Sequence, residues 1–194
     1  MNIFYVDKDP VIAAQMLCDS HCVKMILESA QMLSTAHRVL DGKEYIDESS
    51  GRKIKRWRLD DPIKEKSIYK AGWLKHPSTQ WVMESAYNYR WLYNHMMALN
   101  EEFKRRYPKK GRDHMCVVKL GEILKTPPKN IDIRKIGTDA PTAMPEECRV
   151  AGDSVTSYRK YYILKKRSFA TWKSPAKMPD WFKKGVEIVE AKNV

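Results

Sequence analysis

The sequence predicts an all-α protein of one domain, and three observations carry that expectation. Apolar residues recur at three- and four-residue steps over long stretches, proline and glycine punctuate the gaps, and the composition is 43% hydrophobic with 31% charged residues. A chain of 194 residues has room for a single domain with a sizeable core. We read residues 1–194 as that domain, with residues 173–194 as an extended C-terminal arm.

Residues 3–6 are apolar and β-prone and suggest a short extended segment. Asp9-Pro10 then reads as an N-cap followed by a first-turn proline. Apolar residues continue from Val11 through Leu40 until Asp41-Gly42 supplies a stop, giving one long helix or two joined near Asp19-Ser20. The polar stretch Lys43 to Asp61 reads as a loop or small β-hairpin carrying Arg52, Lys53, Lys55, Arg56 and Arg58 around Trp57. A short helix is expected within Ile63 to Trp73, ending near Ala71-Gly72.

His76-Pro77-Ser78-Thr79 introduces a helix predicted from about Ser78 to Tyr107, where Pro108 ends it. Its stripe of Trp81, Ala86, Tyr89, Leu92, Tyr93, Met96, Leu99 and Phe103 faces a core. A further helix covers Asp113 to Leu124. Residues 126–152, with Pro127, Pro128, Pro141 and Pro145, read as irregular. Asp153 or Ser154 caps a last helix running to about Trp172.

The formal net charge is +12, a field that attracts polyanions and makes nucleic acid the first partner to consider, ahead of an anionic membrane or mere solubility. No apolar run of about 18 residues is present, and the N-terminus lacks a basic segment followed by a long apolar one, so the expectation is a cytoplasmic protein that neither spans a membrane nor carries a standard secretion signal. Cys18, Cys22, Cys116 and Cys148 form no CxxC pair and read as reduced, buried thiols. Cys18, His21 and Cys22 face one way on a helix, but no second ligand pair follows, and neither a metal nor a cofactor is expected.

The chemistry-bearing candidates lie on the first helix. His21, Lys24 and Glu28 are spaced by three and four residues, so they share a face one turn apart on a helix that is apolar on its other sides. Ionisable groups on such a helix need partners or a cavity. Two readings stay open at this point: a satisfied ion pair beside a core histidine, or a functional pocket. In the last helix and just after it, Tyr158, Arg159, Tyr162, Lys165, Lys166 and Trp172 interleave rings that could stack on bases with cations that could hold phosphates. Packing of half-buried tyrosines is the alternative there.

Leu17-Cys18-Asp19-Ser20-His21, with Glu28 seven residues after the histidine, resembles the active-site helix of the bacteriophage endonuclease V family of pyrimidine-dimer DNA glycosylases. Trp91-Leu92 through Glu101-Glu102 and Lys104-Arg105 is similar to that family's middle helix, and Lys75-His76-Pro77-Ser78-Thr79-Gln80-Trp81 to a pattern of its bacterial members. Phe169 to Phe182 resembles its aromatic end more loosely. The resemblance implies base excision with strand cleavage, a catalytic carboxylate at Glu28, and an N-terminal α-amine that attacks the sugar C1′ and forms a Schiff base.

An α-amine has a pKa near ~8 and is far more often neutral at physiological pH than a lysine. The family's amine follows removal of the initiator methionine before a small residue, whereas here Asn2 is larger and Met1 is expected to stay. Either Met1 presents the amine, or a buried Lys24 replaces it, or lyase chemistry is absent. The catalytic candidates are therefore Glu28, Lys24, His21 and Met1. Arg52 to Arg58, His76 and the last helix are the expected surface for double-stranded DNA with a displaced or modified base, in the host cytoplasm if the chain is phage-encoded, acting as a monomer. Two other readings remain: an amino acid:DNA transferase acting on hydroxymethyl-pyrimidines, and a non-catalytic DNA-binding accessory protein.

Overall fold

The side chain of Asp9 accepts the backbone N–H groups of Val11 and Ile12 and, with Pro10 in the first turn, starts helix α1 (Pro10–Met16). Helix α2 (Asp19–Asp41) follows after a break at Leu17-Cys18, where both residues are extended. The two-helix alternative is therefore the one adopted. Neither glycine nor proline marks the elbow; a side chain distant in sequence holds it. Fully buried Arg106 donates to the carbonyls of Leu17 (2.8 Å) and Gln15 (3.1 Å) and pairs with Asp19 (3.2 Å) and Glu102 (3.0 Å). It thereby satisfies carbonyls that the end of α1 leaves open.

This computed structural model describes residues 1–192, so the last two residues of the expected C-terminal arm lie outside the described residues. The all-α reading holds: eight α-helices and one two-stranded hairpin make up the regular structure among the described residues, besides short 3-10 turns. Strand β1 (Lys43–Asp47) pairs antiparallel with β2 (Ile54–Arg58), Lys43 opposite Arg58 and Asp47 opposite Ile54. Arg38, near the end of α2, anchors the hairpin through the carbonyl of Trp57 at 2.9 Å. The same side chain holds helix α3 (Pro62–Ser67) through Glu65 at 2.7 Å. α3 stops short of the expected Ala71-Gly72.

The long helix expected from Ser78 to Tyr107 is two helices, α4 (Pro77–Glu84) and α5 (Ala86–Arg106). Ser85 is extended, and its hydroxyl accepts the N–H of Asn88 at 3.1 Å. A serine that can cap a new helix competes locally with continuing the old one, which an apolar stripe does not reveal. The stripe itself is buried as predicted, apart from half-buried Tyr93.

Helix α6 (Met115–Leu124) falls where expected, capped by His114. The segment between it and helix α7 (Ser154–Lys165) is irregular apart from a short 3-10 turn at Glu146–Cys148. α7 ends well before Trp172, and the expected extended arm instead contains helix α8 (Asp180–Ala191). Gly185 allows α8 to sit on α7, since a Cβ there would meet the Ile163 side chain at 2.2 Å. The core is built where α2 and α1 pack on α5, with Met25, Ile26, Met32 and Leu33 meeting Tyr89, Leu92, Met96 and Leu99. All four cysteines are free and buried. No helix among the described residues is long and apolar enough to cross a membrane.

Candidate active site

The opening residues are buried but irregular rather than strand-like, and they lie over the middle of α2. Asn2 fixes their course. Its Oδ1 accepts the N–H groups of Ile3 (2.7 Å) and Phe4 (3.0 Å), while its Nδ2 donates to the carbonyl of Ala143 at 3.0 Å. Phe4 adopts a φ of 56°, a left-handed conformation that costs a bulky residue energy and persists only when its surroundings enforce it. What enforces it is a stack: the Phe4 ring lies 4.1 Å from that of His21, the planes within 18°. The other side of the arrangement is closed by Tyr161, Tyr162 and Tyr158 of α7.

This course brings the chain start to Glu28. The amide of Asn2 donates to Glu28 Oε2 at 2.9 Å, and the α-amine of Met1 lies 3.7 Å from the same oxygen. Lys24 Nζ approaches the other oxygen, Oε1, at 3.4 Å. Glu28 is buried, yet three nitrogens face it, so the desolvated carboxylate is compensated. Lys24 is different: its side chain is 67% exposed, so the interior placement that would make it a substitute nucleophile is not found.

His21 is buried, and its Nδ1 hydrogen-bonds the hydroxyl of Tyr162, which in turn contacts Cys18 Sγ at 3.8 Å. Burial pushes its pKa down to about 3, helped by the nearby charges of Lys166 and Lys24. A neutral imidazole stacked on Phe4 and set edge-to-face with Tyr162 and Phe169 acts as a brace, not as a proton shuttle near neutral pH. Cys18, His21 and Cys22 do not converge as metal ligands, since Cys22 Sγ turns to the carbonyl of Leu99. His76, half-buried at the start of α4, accepts the N–H of Ser78. Burial lowers its pKa, as does the charge of the Met1 amine, while Glu28 raises it; His76 thus belongs to the same electrostatic cluster.

The expected DNA-contacting residues divide. Lys166 stands over the Tyr161 ring at 4.5 Å and near Phe4 at 5.9 Å, beside the cluster. Arg159 is committed to the carbonyl of Val6 (2.9 Å) and to Asp7 (3.3 Å). Lys165 pairs with Glu147. Tyr158 and Tyr162 are fully buried, so the expectation that their rings are free to stack on bases is corrected: at i and i+4 on α7 they point into the core. Trp172 is half-buried and donates to the carbonyl of Met16.

Arg52, Lys53, Lys55, Arg56 and Arg58 lie on the hairpin, away from Glu28 and near the far end of α2. Lys53, Lys55 and Arg56 face Glu48, Glu44 and Asp47, and Arg58 covers the Tyr45 ring. Asn2, Phe4 and Ala143 are not among the site residues expected from sequence. Only their distant partners give them a role.

The chain belongs to the pyrimidine dimer DNA glycosylase family, whose match covers residues 1–115, more than half of its length. The resemblance seen in α2 is thereby confirmed, and a pyrimidine-dimer DNA glycosylase type of function, a DNA-repair activity with DNA as its substrate, follows at family level. No curated protein and no solved structure matches the chain. Ala143, Tyr161, Tyr162 and Lys166, which complete the cluster, lie beyond the matched residues.

Proposed function

We propose that the chain excises a damaged or modified pyrimidine from double-stranded DNA and cleaves the strand through a covalent amine–sugar intermediate. One observation carries the reading: the α-amine of Met1 and the amide of Asn2 converge on one oxygen of the buried Glu28 carboxylate. In this reading the neutral amine attacks C1′ of the sugar. The C1′–N bond breaks with its electron pair leaving on the base, which takes up a proton, and the amine gives a proton to Glu28. The C1′–O4′ bond then breaks, O4′ taking the proton back from Glu28, and the Schiff base forms. Loss of a C2′ proton then expels the 3′ phosphate and breaks the strand.

Glu28 serves both as the base and as the counter-charge to the cationic sugar, and its low exposure strengthens both effects. Lys24 and Lys166 flank the cluster and suit the phosphates on either side of the target nucleotide. His21, with Tyr162 behind it, positions Phe4 and through it the amine. The hairpin cations Arg52 to Arg58 would meet a more distant part of the duplex, and the chain works as a monomer in the cytoplasm.

The test is borohydride trapping with duplexes carrying a cyclobutane pyrimidine dimer or an abasic site, followed by peptide mass mapping. A trapped adduct on the N-terminal peptide is the expected result. No adduct on either duplex overturns the amine mechanism, and modification of hydroxymethyl-pyrimidines in a duplex without base release or strand cleavage overturns the excision reading.

A further inference from the structure

The two most exposed large apolar side chains among the described residues are Ile133, 79% exposed, and Ile136, 85% exposed. They stand on the loop of residues 132–137, with Arg134 and Lys135 between them. The loop is firmly rooted. Asp132 Oδ1 accepts the N–H groups of Arg134 (2.8 Å) and Lys135 (3.1 Å), and the carbonyl of Asp132 accepts the N–H of Ala86 at 2.9 Å. Gly137 lies so close to Tyr87 that a Cβ would fall 1.8 Å from its ring, and Thr138 is bonded to both Trp81 and Asn88. Two isoleucines held in water on an ordered support mark a contact surface.

Helix α4 links the loop to the proposed active site. α4 is capped by His76, in the Glu28 cluster, and ends at Glu84, which pairs with Lys135 at 3.5 Å. A groove of about 320 Å³ runs along α4 from Pro77 to Glu84, its other wall being Thr138, Asp139 and Pro141. Eight residues of helix rise about 12 Å, the length of roughly three to four base pairs.

We propose that this loop is a second DNA contact, a wedge whose isoleucines enter the minor groove and lean on a base step some three to four pairs (~12 Å) from the target nucleotide. Charge selects the occupant. The carboxylates around the loop are engaged: Glu84 by Lys135, Asp139 by Lys8 and Tyr5, Asp132 by the loop's own N–H groups. The guanidinium groups of Arg90 and Arg134 make no hydrogen bond or ion pair among the described residues. Exposed apolar tips flanking Arg134, with the guanidinium of Arg90 nearby and without an ion pair, fit a polyanion with stacked, apolar interior steps. The inference rests on the proposed function in taking DNA as the substrate and the Glu28 cluster as the place of the target nucleotide.

Binding of the full chain is measured on a duplex with a tetrahydrofuran abasic analogue, which supports no amine chemistry, and with 2-aminopurine placed at the proposed step. The wild type is expected to brighten the 2-aminopurine. Ile133→Ser/Ile136→Ser, conservative for folding at such exposure, is expected to abolish the brightening and to weaken binding roughly tenfold or more, the worth of re-exposing a buried isoleucine. Arg134→Ala should lower the slope of binding against salt by about one. Unchanged brightening and affinity in the serine variant overturn the wedge, as does sedimentation showing a wild-type dimer that the serine variant dissolves. Failure of borohydride trapping by the wild type would instead sink the amine mechanism and leave these binding results standing.

Discussion

The amide of Asn2 donates to Oε2 of Glu28 at 2.9 Å, joining the start of the chain to the middle of α2 across 26 residues of sequence. The oxygen that takes this bond also faces the Met1 amine. Backbone amide and α-amine are thus registered on one carboxylate.

Glu28→Gln keeps an acceptor for the Asn2 amide but removes the charge and the proton acceptor. Turnover on dimer-containing DNA is expected to fall by about 10²–10⁴, the usual worth of a positioned acid–base group, while affinity for the duplex stays within a few-fold. Single-turnover cleavage and a binding titration on the same duplex check this. Cleavage at the wild-type rate would remove Glu28 from the mechanism.

Lys24→Ala separates the two candidate amines. Its ammonium is exposed, and such ion pairs contribute about 0–1 kcal/mol, so fold and trapping should survive with a change of at most about tenfold in rate. The adduct should still map to the N-terminal peptide. An adduct that vanishes with Lys24 would make the lysine the nucleophile.

Arg106→Met tests the α1–α2 elbow. The guanidinium is fully buried between two carbonyls and two carboxylates, and its removal leaves Asp19 without its cation and Glu102 with Arg105 alone. A loss of about 3–5 kcal/mol is expected in chemical denaturation. A variant as stable as the wild type would show that the elbow is held by packing alone.

Acid should destabilise the fold through its buried histidines. Burial pushes His21 down to about 3 and His37 and His95 down to about 4, against an ordinary value of 6.5. Below 6.5 the unfolded chain binds protons that the folded chain refuses, so stability falls with pH in that window and the fall ceases once the folded histidines titrate. Each contributes a slope of at most about 1.4 kcal/mol per pH unit. His95→Gln should flatten the dependence of unfolding free energy on pH between 6.5 and 4.5; an unchanged slope would mean that His95 accepts its proton in the fold.

The helices were legible in the sequence because amphipathic periodicity and caps such as Asp9-Pro10 are local signals, written within a few turns of chain. The charged triplet on α2 and the family resemblance pointed to Glu28 for the same reason. The breaks were less legible. Ser85 and Leu17-Cys18 interrupt continuous apolar patterns, and what stabilises them is a cap in one case and the distant Arg106 in the other.

The sequence by itself therefore determined the helical class and the buried face of α5, and it singled out Glu28 as the candidate carboxylate. Tertiary structure alone decided which groups meet that carboxylate: Asn2 and Met1 reach it, Ala143 holds Asn2 and Tyr162 holds His21 from beyond the matched region, the Lys24 side chain stays largely in solvent, and Tyr158 turns inward. The physical reason is that periodicity reports which face of an element avoids water, whereas contacts across tens of residues depend on how those faces are brought together.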